Sequence, residues 1–114
     1  MSDISTHILD LALGKPAAGV GVKLLRLEDE AWIELADQKT DADGRCRKLI
    51  SLENTATATY RIIFDIDSYY FCMNNSRLAL YPDISITFNV SDVHRSYHMP
   101  LLLSPNGYTT YRGS

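Results

Sequence analysis

Residues 84–90 read Ile-Ser-Ile-Thr-Phe-Asn-Val, an unbroken alternation of apolar and polar side chains. A period of two suits a strand with one face in a core and the other in water. It does not suit a helix, whose apolar positions recur about every 3.6 residues. Ile84, Ile86, Phe88 and Val90 are therefore expected to face inward. The same period runs through 59–66 and puts Tyr60, Ile62, Phe64 and Ile66 on one face. Residues 20–28 and 31–36 read as two more strands, joined by an acidic turn at Asp29-Glu30. Near the start, Ser5–Asp10 is short and β-compatible, and the breaker Gly14–Gly19 follows it.

The interruptions of this pattern are equally informative. Asp41-Ala42-Asp43-Gly44-Arg45 is a turn, with Gly44 free to take a positive φ. Residues 68–79 lose the alternation and are expected to form a short helix capped by Ser68, with Pro82 leading into the next strand. Roughly seven or eight short strands, with turns every 8–12 residues, imply an all-β antiparallel sandwich. With 114 residues, 1–114 is read as a single domain able to bury one core.

The end of the chain can be folded by spacing alone. Ser104-Pro105-Asn106-Gly107 fits a type I turn, with or without a following glycine bulge. Folding back there pairs Leu102 with Thr109 or Thr110 and sets His98 opposite Gly113 or Ser114. The choice depends on the bulge. Either register brings a histidine to the C-terminal end of the chain.

Charge and composition exclude several function classes. The net charge is −3, with 11 Lys and Arg against 14 Asp and Glu. The basic residues are scattered, so nucleic-acid binding, which needs a basic face, is not expected. No stretch has the apolar length of a membrane span. The opening residues lack the basic region of a secretory signal, and Asp10 interrupts the apolar run there. The two cysteines, Cys46 and Cys72, form neither a disulfide framework nor a metal-ligand spacing. Free thiols and a cytoplasmic location are the expectation.

Of the three histidines, His94 sits in a polar connection and is read as a surface residue, whereas His7 lies mid-strand and His98 meets the chain end. The Asp41–Arg45 segment fails as a calcium loop, because Lys39 and Ile50 would occupy carboxylate positions. There is no nucleophile elbow, zinc motif or phosphate loop. Spacing and composition thus reach a β-sandwich with a few suggestive residues, and stop short of an activity.

The two ends carry more. Tyr-His-Met-Pro-Leu-Leu-Leu-Ser-Pro-Asn-Gly-Tyr-Thr-Thr-Tyr-Arg-Gly-Ser at 97–114 closely resembles the terminal signature of the 5-hydroxyisourate hydrolases, the transthyretin-related proteins. Met99 and Thr109 stand where that signature usually has Val and Ser. Ile4–Leu24 and Thr40–Cys46 are similar to the family's opening and Asp-Gly-Arg segments. The segment 68–81 departs from the family pattern, with Leu80-Tyr81 in place of an aromatic pair and an atypical helix.

The resemblance implies a transthyretin-like sandwich of two four-stranded sheets with one short helix, assembled as a homotetramer, a dimer of dimers, with the site in a channel where dimers meet. It implies hydrolysis of 5-hydroxyisourate to 2-oxo-4-hydroxy-4-carboxy-5-ureidoimidazoline, without metal or cofactor. His7, Arg45, His98 and Ser114 would be catalytic. Substrate binding would fall to His7, Arg45, Tyr111, Arg112 and Gly113. The competing readings are a small-molecule carrier without turnover and a structural module that binds a protein through its edge strands.

Overall fold

The structure is a computed structural model that describes residues 2–73 and 79–113. The strands are β1 (Asp3–Asp10), β2 (Lys15–Pro16), β3 (Gly21–Glu28), β4 (Ala31–Lys39), β5 (Arg45–Ser51), β6 (Ala58–Asp65), β7 (Asp83–Val90), β8 (Tyr97–Ser104) and β9 (Gly107–Thr110). Among the described residues one helix, α1 (Ile66–Cys72), lies between β6 and β7.

One sheet runs β4-β3-β6-β7. The other runs β2-β1-β8-β9, with β5 also paired to β1. β2 takes the Leu9–Asp10 end of β1 and β5 the Asp3–His7 end, so the two share one edge. In effect each sheet is four strands wide, as expected. The sandwich is antiparallel with one exception. β1 and β8 are parallel over seven residue pairs, from Ile4↔Tyr97 to Asp10↔Leu103. Alternation says which face a side chain takes, not which distant strand lies beside it.

The inward residues expected from period two are where the core sits. Tyr60, Ile62, Phe64 and Ile66 are buried, as are Ile84 and Val90, while Ile86 and Phe88 pack at its margin. Burying each such side chain contributes about 1.5–3 kcal/mol. The Asp29-Glu30 turn puts both residues at positive φ (50° and 72°), which matches the twist of the β3–β4 hairpin. At the last hairpin Ser104 pairs with Gly107 and Leu102 with Thr109. Gly107 is not left-handed, so no glycine bulge forms, and His98 falls opposite Gly113.

The helix differs from expectation. It starts at Ile66 rather than 68, which ends β6 at Asp65, and Asp65 is the cap: its carboxylate accepts from the Ser68 amide at 3.2 Å. Ser68 therefore lies inside the first turn. The amides of Ile66 and Asp67 donate to the carbonyl of Pro82 (3.0 and 2.9 Å), tying the helix start to the approach of β7. The later part of the expected helix, 74–78, lies outside the described residues. A helix this short is not stable alone. It is anchored by Tyr69, whose buried hydroxyl donates to Asp10 Oδ2 at 2.7 Å. Burial and that bond push the Tyr69 hydroxyl well above its ordinary pKa. Among the described residues, no helix is long and apolar enough to cross a membrane.

Asp10 is almost fully buried, and its other side-chain partner is the Leu13 amide at 3.1 Å. Tyr69→Phe should therefore cost about 1–3 kcal/mol, the penalty for under-satisfying a buried acceptor. Urea denaturation checks this, and an unchanged midpoint would contradict it.

Candidate active site

β1 alternates strictly. Ile4, Thr6, Ile8 and Asp10 are buried, while Asp3, Ser5, His7 and Leu9 are half-buried on the outer face. In β8, Tyr97, Met99, Leu101 and Leu103 point inward and His98 outward. The parallel register sets Ser5 beside His98 and His7 beside Pro100. His7 and His98 thus share the outer face. Strand spacing and rise put their Cα atoms about 8 Å apart.

Arg45 reaches the same face from the other side of β1, because His7 pairs with Arg45 across β1–β5. The preceding loop explains how. Asp41 Oδ1 accepts from the amides of Asp43 (2.9 Å) and Arg45 (3.0 Å), and the Asp41 carbonyl accepts from the Gly44 amide at 2.9 Å. These bonds to the charged form hold the Asp41 carboxyl below its ordinary pKa, with the Arg45 amide the largest cause. Gly44 has φ 74°, and its carbonyl accepts from the Ile8 amide at 2.8 Å. A Cβ there would lie 2.5 Å from the Ile8 carbonyl oxygen. Only glycine lets the loop approach β1 closely enough to launch Arg45 beside His7.

His98 is held from both neighbouring strands. Ser5 Oγ lies 2.9 Å from its Nδ1. On the other side, the Gly113 amide donates to the His98 carbonyl at 2.7 Å, and a Cβ on Gly113 would sit 2.6 Å from His98 Cδ2. The bare glycine backbone is packed directly against the imidazole. Burial lowers the His98 pKa first, then the positive charge of Arg45 and then His7. The neutral imidazole is therefore favoured near pH 7.

The structure thus gathers His7, Arg45, His98 and Gly113 on one face. Tyr111 is exposed in the final segment. Arg112 is not brought to this group. Its guanidinium lies 4.0 Å over the ring of Tyr97, an inward-facing residue, and donates to the Ser96 carbonyl at 3.1 Å. Ser114 lies outside the described residues. Sequence reasoning missed Ser5. Its signal was weak: a serine two positions before His7 shares its face, but only the parallel register puts it on His98.

Cys46, next to Arg45, faces the core, and burial pushes its thiol up to about 11, so it is not a nucleophile. His94 is exposed and its amide donates to Asp92 in the connecting turn, as a surface residue would. Among the described residues no three His, Cys, Asp or Glu side chains gather as metal ligands would. Two clefts open elsewhere, one bordered by Lys23, Asp37, Ile63 and Asp83, the other by Arg26, Glu28 and Thr55. Neither touches His7, Arg45 or His98, which are half-buried on the outer face of the sheet.

A family described as HIUase/Transthyretin matches residues 4–113. The chain belongs to that family. It is 46% identical over 116 residues to a 5-hydroxyisourate hydrolase of Caulobacter vibrioides, covering all of both chains. Among solved structures it is similar to Klebsiella pneumoniae 5-hydroxyisourate hydrolase, with a TM-score of 0.84, 32% identity and complete coverage of both chains. It is also similar to sea bream transthyretin in complex with thyroxine, with a TM-score of 0.87 and 30% identity over 96% of this chain and 93% of that one. The backbone does not separate an enzyme from a carrier. The side chains on the outer face have to.

His98 should titrate below the 6.5 of an unperturbed imidazole. The groups facing it are Arg45 from β5 and His7 from β1, so Arg45→Gln should move the midpoint upward. Ring-proton NMR titration measures both, and an unmoved midpoint would show that the Arg45 charge does not reach His98.

Proposed function

We propose that the outer face bearing His7, Arg45 and His98 hydrolyses 5-hydroxyisourate to 2-oxo-4-hydroxy-4-carboxy-5-ureidoimidazoline, a step in urate degradation toward allantoin. The observation that carries this reading is the convergence of two imidazoles and a guanidinium from three strands onto one surface. Hydrolysis of a cyclic amide needs an activated water, a holder for the planar ring and a stabiliser for the tetrahedral oxyanion. The two histidines supply the proton transfer and a hydrogen bond to the oxyanion. Arg45 offers a rigid two-pronged donor to the ring's carbonyl or anionic edge. A carrier for a hydrophobic ligand has no use for this polar set.

Tyr111 and Gly113 form one wall of the site, and Ser114 positions a histidine or the water. Arg112 acts on binding indirectly, by steadying the final segment through its stacking on Tyr97. No cofactor takes part. The whole of 1–114 acts as one domain.

The chain works as a homotetramer, a dimer of dimers. Two features support this. His7, Arg45 and His98 are only half-buried in one chain, whereas amide hydrolysis benefits from a site closed to bulk water. β7 and β9 also end their two sheets unpaired among the described strands, leaving edges for another copy to extend. Cys46 and Cys72 are free thiols, which fits the reducing cytoplasm.

Adding the purified protein to freshly generated 5-hydroxyisourate should speed its decay well beyond the spontaneous rate. His98→Ala should remove roughly 10²–10⁴-fold of that gain. Decay at the spontaneous rate with the unmodified protein would contradict the proposal.

A further inference from the structure

The division of labour between the two histidines follows from Ser5, and this step rests on the hydrolase reading above. β5 bulges where it passes Ser5: Ile4 pairs with Ile50 and Thr6 with Cys46, so Ser5 has no partner on β5 and its cross-strand neighbour is His98 on β8. Among the described residues, the one side-chain hydrogen bond of Ser5 is with His98 Nδ1, at 2.9 Å. A serine hydroxyl can give its proton to that nitrogen or accept one from it, and the tautomer of the ring decides which. A neutral imidazole has one donor nitrogen and one acceptor nitrogen. If Nδ1 accepts, the ring proton is on Nε2.

We infer that Ser5 is a positioning residue that locks His98 in the Nε2–H tautomer, so that His98 faces the substrate as a hydrogen-bond donor and His7 is the base. The surroundings agree. Gly113 packs against the Cδ2 edge of the ring and Ser5 holds the Nδ1 edge, which leaves Nε2 unpartnered among the described residues. Burial first, and then the charge of Arg45, favours the neutral ring, the form in which tautomer identity matters.

The reaction then balances with one proton in transit. His7 takes a proton from water as the oxygen attacks C6. The carbonyl oxygen becomes an oxyanion that accepts a hydrogen bond from His98 Nε2–H. The C6–N1 bond breaks, and His7 returns its proton to N1. His98 gives up no proton, so it never has to become an imidazolate.

Nitrogen-15 NMR of the ring in labelled protein near pH 7.5 tests this without substrate. The expected signature is a pyrrole-like Nε2 and a pyridine-like Nδ1 for His98. Ser5→Ala should weaken that signature and lower kcat roughly 10–100-fold with little change in KM, the usual scale for losing a group that orients a functional imidazole. Ser5→Thr, which keeps the hydroxyl, should restore both. An Nδ1-protonated His98 in the unmodified protein would overturn the inference alone, as would an undiminished kcat in Ser5→Ala. Absence of hydrolysis by the unmodified protein would overturn the reaction reading beneath it.

Discussion

The site depends on one pairing, the parallel alignment of β1 with β8. It brings residues 93 positions apart to hydrogen-bonding distance, as between Ser5 and His98. The period of two in both strands then decides what shares a face. A slip of one residue would send His98 into the core and Tyr97 to the surface. That slip is opposed by Ile4, Tyr97 and Leu101, each almost completely buried, and by Thr6, whose hydroxyl donates to the Met99 carbonyl at 2.6 Å inside the sandwich. The apolar register of the core therefore sets the polar register of the outer face.

Around that pairing, two glycines do the close fitting. Gly44 lets the Asp41–Arg45 loop reach the backbone of β1, and Gly113 lets the C-terminal segment lie against the ring of His98. Both explain why a glycine stands in the short motifs Asp-Gly-Arg and Arg-Gly-Ser, where a side chain would collide with β1 or with His98. The same sandwich is shared with a thyroxine-bound transthyretin, so the fold supplies a platform and the side chains on it supply the chemistry.

Much of the architecture was legible in the alternation, because facing is a local property. Tyr60, Ile62, Phe64 and Ile66 were placed inward correctly, and the Ser104–Gly107 turn led to the observed His98–Gly113 pairing once the bulge was decided. What was not legible is non-local. No period in the sequence indicates that β1 lies parallel to β8, so the role of Ser5 was hidden. The helix start was misplaced because Asp65 continues the strand pattern and caps the helix at once, and Ser68 is an equally good cap by type. Arg112 was grouped with the site by its motif. Strand alternation sends it to the Tyr97 side, where its charge lies over the ring.

In the proposed reading, the outer face of β1, β5 and β8 receives the substrate and another copy of the chain closes it. A crystal structure with an unreactive, urate-like planar ring tests it most directly. The ring is expected beside the Arg45 guanidinium, within hydrogen-bond reach of His98 Nε2 and His7, at a surface shared by two copies. A ring bound in the cleft bordered by Lys23, Asp37 and Asp83 on the opposite sheet, with the His7–His98 face empty, would contradict it.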